Sequence, residues 1–273
     1  MAGGGLLLRF SWLNPLAKEI AIINASITEW TELNGFLKIA ADGMVTIMSP
    51  NPEGGQHVKT AMPMIVAEEL DVDWKQVIVE QAPLNTKLYT RQFIGGSQAI
   101  RTSWKTLRTA GATARQMLCE AAAAAWVVPV EEITTESGIL HHKKTGKSAG
   151  YGMMASAAAK IALPQTVQLK EKKDFKIIGT AKKNVDILKI VTGKPLFGMD
   201  YTAPGMLIAM IQHPPAFGMK LKSFDATAAK KMPGIKDIFS FKLYDDGFEQ
   251  AGFDTRTFND LLVVVGKRSE EHT

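Results

Sequence analysis

The sequence has a single cysteine, Cys119, in 273 residues. No internal disulfide can form, and neither a four-cysteine zinc site nor an iron–sulfur cluster can be assembled from this chain. An electron carrier of that kind would have to sit on another polypeptide. No apolar run reaches the roughly 20 residues that a membrane-spanning helix needs, so no membrane span is expected. A strong excess of one charge is missing too. There are 32 basic residues against 27 acidic ones, a net charge of +5, and the pI is near 9.1. Nucleic-acid binders concentrate basic charge on one face or stripe. Here the lysines are scattered without an aromatic–basic pattern, and Lys170–Lys173 reads as a solvated turn, so no nucleic-acid partner is expected. Hydrophobic residues make up 46% and charged residues 22%, ordinary values that provide a core and exclude global disorder.

The two ends differ from the rest. Ala2–Trp12 is apolar and Gly-rich, like the middle of an export signal without the basic region in front of it. Residues 1–30 are therefore expected to be a signal remnant or a disordered lead. At the other end, Leu261–Val265 reads as a buried strand. Residues 268–273 read as a non-native tail, with the natural chain expected to continue past Lys267.

Between the ends, Phe36–Ile39 and Val45–Met48 alternate apolar and polar residues around Asp42-Gly43, the pattern of a β-hairpin. A helix is expected from Thr60, as its cap, to Leu70, with Pro63 in the first turn. Val77–Val79 reads as a strand and residues 81–100 as loop. Apolar residues at Leu107, Ala110, Ala114, Met117, Leu118 and Ala121 predict a helix over Ser103–Trp126, capped by Ser103. A hairpin turns at Ser137-Gly138, leaving His141 and His142 exposed, and a helix follows over Ser148–Ile161. Residues 164–176 are polar and Lys-rich and read as a linker. A second unit starts at Ile177, with strands at Leu207–Ile211 and Ile235–Phe241 and a short helix over Ala226–Lys231. The fold class is α+β.

Two loops carry the chemistry. In Asn51–Thr60 a glycine pair, Gly54 and Gly55, lets the backbone approach a ligand closely. Gln56 adds an amide with both donors and an acceptor, and a helix follows directly. In Gly95–Trp104 the glycines Gly95 and Gly96 and the hydroxyls of Ser97, Thr102 and Ser103 again precede a helix, whose first N–H groups favour an anion. Each loop taken alone reads first as a turn and a cap. Neither is a Walker A motif or a dinucleotide fingerprint. Two such loops raise the odds of a phosphorylated ligand without naming it. On this footing alone the chain could be a non-enzymatic binding module for a phosphorylated small molecule or anion. Glu68 and Glu69, adjacent on a helix, point apart and form no acid pair.

The order Glu53–Thr60, Ala67–Leu70, Val77–Glu80, Gly95–Ser97 resembles the molybdopterin-binding segment of the xanthine oxidase family. The run Val191–Asp200, Pro204–Leu207 and the turn Met232–Ile235 resemble that family's α/β hammerhead domain. A cofactor segment placed before the hammerhead marks the isoquinoline 1-oxidoreductase β-subunit-like branch. The resemblance implies a molybdopterin-binding segment over 31–163, a linker over 164–176 and a truncated hammerhead over 177–267. It implies a molybdopterin cofactor, with a cytosine dinucleotide as one form. The cofactor would be held by Gly55 and Gln56 on the first loop and by Gly95, Gly96, Ser97, Thr102 and Ser103 at the second. His57 stands where the family usually has glycine. The implied reaction is oxidation of an aldehyde or N-heteroaromatic compound with water as the oxygen source. Electrons would pass to a small iron–sulfur subunit. A periplasmic location by twin-arginine export is implied, with the cytoplasm as the alternative. No position matches the family's late general-base glutamate, so no catalytic residue or metal ligand is assigned, and the isolated fragment is expected to be inactive.

Overall fold

The computed structural model describes residues 30–268 apart from 90, 217, 246 and 250–257, and only the backbone of 30–34. Residues 1–29 of the expected signal remnant and 269–273 of the expected tail lie outside the described residues. The chain divides into two compact units, 1–194 and 195–273. The expected boundary at Ile177 thus falls inside the first unit.

In the first unit, β1 (Trp30–Asn34), β2 (Leu37–Ala40), β3 (Val45–Ser49) and β4 (Val77–Gln81) form one sheet in that order. β1, β2 and β3 are antiparallel neighbours, whereas β3 and β4 run parallel. The parallel pair needs a crossover, and α1 (Val58–Leu70) supplies it. Alternate residues of a strand share a face. Leu37, Ile39, Val45 and Ile47 accordingly join Met62, Ile65, Val66 and Leu70 of α1 in the core. The long helix α2 (Ala99–Trp126) packs across α1. At the crossing stands Gly111, where a Cβ would overlap the Val66 carbonyl oxygen. Of the apolar positions predicted for this helix, Leu107, Ala114, Met117, Leu118 and Ala121 join the core, and Ala110 is buried. Cys119 joins the core too, and its thiol is pushed up to about 11 by burial.

Several local expectations are corrected. α1 begins before Thr60, at Val58. The Thr60 hydroxyl instead accepts the Val185 N–H at 3.0 Å. Pro63 lies inside the helix, where its ring removes one N–H bond. α2 begins before Ser103, with Gln98 as its N-cap. Ser103 caps nothing, and Thr102 donates its hydroxyl back to Gln98 O at 2.9 Å.

The hairpin at Ser137-Gly138 is present and gains a third strand, so β5 (Ile133–Glu136), β6 (Ile139–His142) and β7 (Lys147–Gly150) form an antiparallel meander. Because β7 takes Ser148, the next helix, α3 (Tyr151–Ala158), starts later than predicted. His142 shares the inner face of β6 with Leu140 and is only 2% exposed, not exposed as expected. Its Nδ1 and Nε2 lie 2.7 Å from Thr145 Oγ1 and from Glu132 Oε2.

The Lys-rich stretch is no loose linker. Glu68, fully buried, accepts N–H groups from Lys176, Ile177 and Ile178 at 2.9, 2.6 and 2.9 Å. Lys170 pairs with Glu68 and Asp71, at 3.2 and 2.8 Å. This corrects the reading of Lys170 as a solvated turn residue. Glu69 pairs with Arg108 and accepts the Lys170 N–H at 3.0 Å, so both adjacent carboxylates meet the same strap residue rather than pointing fully apart. The strap ends near the start of α1, where Lys59 Nζ meets Asp186 Oδ2 at 2.7 Å. A short helix, α4 (Ile187–Val191), follows.

In the second unit β8 (Ile208–Gln212), β9 (Ile235–Lys242) and β10 (Asp260–Gly266) form an antiparallel sheet with β10 in the middle. The helix expected over 226–231 is reduced to a single 3₁₀ turn, Ala229–Lys231, with Pro233 just beyond it. Among the described residues no helix is long and apolar enough to cross a membrane.

Candidate functional site

β3 and β4 are parallel neighbours, so the loops that follow them leave the sheet at the same edge. In open α/β arrangements ligands sit at the carboxyl ends of such strands. The first loop, 50–57, leads into α1, and the second, 82–98, leads into α2. These are the two glycine loops singled out from the sequence, and the fold makes them neighbours. A Cβ at Gly54 would lie 3.1 Å from Ile94 Cδ1.

Side-chain amides fasten one loop to the other. Asn51 Nδ2 donates to Phe93 O at 2.9 Å. Gln92 Nε2 donates to Pro50 O and to Pro83 O, at 3.0 and 2.9 Å. Gln81 Nε2 reaches Ser49 O and Asn51 O at 2.9 and 3.0 Å. Asn51 is 2% exposed. None of these three residues stood out in the sequence. An amide between two loops has no motif, and only the parallel pairing of β3 with β4 brings its partners within reach.

Within the first loop, Gly55 takes φ +102° with nothing within 4 Å of where its Cβ would be, which leaves room for a ligand, while its N–H is given to Glu53 Oε1 at 2.7 Å. Gln56 is exposed. Its Oε1 accepts from Gly54 N–H at 2.7 Å and its Nε2 donates to Pro52 O at 2.9 Å. The second Nε2 hydrogen has no acceptor among the described residues. His57 sits in the left-handed region at φ 64°. The family's glycine at this position thus corresponds to a backbone shape that glycine adopts freely and that histidine tolerates better than most residues.

In the second loop Gly96 and Ser97 are both left-handed, with φ 63° and 52°, which turns the chain sharply into α2. Gln98 gives that helix no side-chain cap, so its first N–H groups stay open to an acceptor. Arg101 is held beside them by a 2.7 Å bond to Gln98 Oε1. Thr102 and Ser103 are placed differently. They line a neighbouring cavity of about 320 Å³ together with Asn51, Tyr89 and Arg91. The fold therefore groups Gly55, Gln56, Gly95, Gly96 and Ser97 at one edge and sets Thr102 and Ser103 into the cavity beside it.

Room beside Gly55, an unspent Gln56 amide hydrogen and an uncapped helix start leave donors open at this edge, while the Glu53 carboxylate is spent on three backbone N–H groups. Such an edge fits a ligand built of acceptor oxygens, as a phosphorylated pterin is. Fold and loops together define a domain with two glycine loops gathered at the end of a parallel strand pair. Residues 17–191 match the family model described as the molybdopterin cofactor-binding domain, and the chain belongs to that family. It is 34% identical to the β-subunit of an isoquinoline 1-oxidoreductase from Brevundimonas diminuta, over 76% of this chain and 32% of that protein. It is 30% identical to a membrane-bound aldehyde dehydrogenase [pyrroloquinoline-quinone] from Gluconacetobacter polyoxogenes, over 76% of this chain and 27% of that one. It is 25% identical to a nicotinate dehydrogenase subunit from Pseudomonas putida, over 99% of this chain and 22% of that protein. The chain spans about a third or less of the length of these curated relatives.

Proposed function

We propose that the chain is the cofactor-binding segment of a molybdenum hydroxylase large subunit that oxidises an aldehyde or an N-heteroaromatic compound with water as the oxygen source. The observation that carries this reading is the Gln56 amide, exposed on the glycine loop beside the second loop and offering one unspent N–H. Molybdopterin, when bound, supplies a two-electron redox centre that the twenty side chains cannot provide. The chain's own part is to bind and orient. Gln56 would donate to an oxygen of the bound group, and Gly55 would let that group come close. Gly95, Gly96, Ser97 and the start of α2 would hold its phosphate. Thr102 and Ser103 line the adjacent cavity. Cys119, the one cysteine of this sequence, is buried with its thiol protonated, so these residues build no iron–sulfur cluster themselves. Two of the relatives are named as single subunits of their enzymes, which supports a partner subunit, read here as the iron–sulfur carrier. The second unit, with its three-stranded antiparallel sheet, is read as part of a hammerhead domain. A binding module without catalysis is not favoured, because the relatives are named as oxidoreductase and dehydrogenases.

The test is Gln56→Ala in the full-length protein. Loss of one preorganised donor is expected to lower kcat/KM about 10- to 100-fold with an unchanged melting temperature, since Gln56 is exposed. Assays with an aldehyde and with an N-heterocycle, at measured molybdenum content, check it. Normal turnover per folded molecule would remove Gln56 from the site. Turnover by residues 1–273 alone would refute the claim that this segment is only part of the active unit.

A further inference from the structure

Gln56 is held by its own loop. Gly54 N–H needs an acceptor and Pro52 O needs a donor, and the amide serves both, at 2.7 and 2.9 Å. These two bonds fix which end of the amide is which. Turned over, it would set an NH₂ group against an N–H and an oxygen against an oxygen. What the loop presents outward is therefore an N–H donor.

The residue between Pro52 and Gly54 holds them in place. Glu53 Oε1 accepts from Gly55 N–H at 2.7 Å and from His57 N–H at 3.0 Å. Glu53 Oε2 accepts from Lys59 N–H at 2.9 Å. One carboxylate thus closes the loop and also caps α1, whose N-cap His57 contributes no side-chain bond. A capping side chain normally comes from the N-cap residue itself. Here it reaches in from four residues earlier, and the chain between is the ligand loop.

We infer that Glu53 is a positioning residue, whose carboxylate sets the Gln56 amide with its N–H toward an acceptor oxygen of the bound group. The inference rests on the proposed placement of Gln56 against the cofactor. Removing the carboxylate frees three backbone N–H groups and lets Gly54 and Pro52 move, so Gln56 loses its fixed orientation. Glu53→Gln keeps one acceptor oxygen but turns an NH₂ group against a backbone N–H, so its effect falls between those of wild type and Glu53→Ala.

The experiment uses the full-length holoenzyme with Glu53→Ala, Glu53→Gln, Gln56→Ala and the double variant Glu53→Ala/Gln56→Ala. Molybdenum retained after dialysis, the Mo(V) electron paramagnetic resonance spectrum of the partly reduced protein, and kcat and KM are measured separately. Glu53→Ala is expected to change the spectrum in the direction Gln56→Ala does. It is expected to lower molybdenum retention or kcat about 10- to 100-fold, the usual effect of losing an outer-shell partner. The double variant is expected to be no worse than Gln56→Ala, because both changes act through one amide. If Gln56→Ala alters the spectrum and Glu53→Ala does not, or if the two effects simply add, Glu53 does not position Gln56. If neither variant alters spectrum or retention, the placement of Gln56 itself fails. Should Glu53→Ala not fold, Glu53→Gln decides per bound molybdenum: a wild-type spectrum and kcat would overturn the proposal.

Discussion

A side chain in left-handed backbone costs about 1–2 kcal/mol relative to the right-handed region. His57 takes that conformation, φ 64°, at the junction of the first loop and α1. Glycine is free of the cost but gives up more entropy on folding. His57→Gly is therefore expected to stabilise the protein by up to about 1 kcal/mol, read from the urea midpoint. A lower midpoint would mean that the imidazole makes a contact worth more than the strain. Residues of this kind explain why only part of the site could be read from sequence. Gly55 and Gln56 are conspicuous because glycine pairs before a helix are a recognisable pattern. Glu53 is not, since its worth depends on the loop curling back within hydrogen-bond reach. Asn51 and Gln92 are less legible still, because their partners lie far along the chain.

The strap from Lys170 to Asp186 is held to α1 by carboxylates with depressed pKa values. For Glu68, burial pushes the carboxyl up, but the N–H groups of Ile178, Ile177 and Lys176 and the Lys170 ammonium outweigh it and hold it below the ordinary 4.5. Asp71 behaves alike: burial raises it, while Lys170, Thr135 and Lys176 hold it below the ordinary 3.8. A depressed folded pKa means that the unfolded chain takes up protons first. The contribution to stability is thus complete above the unfolded values and disappears as pH falls through the folded ones. Wild type is expected to lose stability steeply as pH drops below about 4.5. Glu68→Gln is expected to be less stable at pH 7 by about 3 kcal/mol and to show a flatter acid limb. Chemical melts at several pH values check both, and an unchanged acid limb would mean that Glu68 is not the group that titrates. Composition points to a linker here because lysines and polar residues dominate. The acidic partners that order it sit about a hundred residues earlier, beyond the reach of any local pattern. Helix starts are hidden for a related reason: Thr60 and Ser103 look like caps, yet backbone geometry places the starts at Val58 and Ala99.

Across the molecule, the periodic segments are the legible ones: the β2–β3 hairpin, the body of α2 and the strands of the second unit follow the apolar spacing of the sequence. The parallel pairing of β3 with β4 is not written in any one segment, although it is what gathers two separate loops at one edge. The burial of Cys119 has a practical consequence for watching this architecture come apart. It is the chain's one thiol, it lies on α2 within the shared core, and burial keeps it protonated to about pH 11. At pH 8 a thiol reagent meets a side chain that is 9% exposed and almost entirely protonated, and opening of the α2 layer removes both obstacles. Its modification rate in the native protein is expected to be at least about a thousandfold slower than in urea-unfolded chain. Modification at the unfolded rate would mean that the helix is not packed as described. A single mass-resolved adduct would then serve as a clock for opening of the core, with no added probe and no background from other cysteines in the chain.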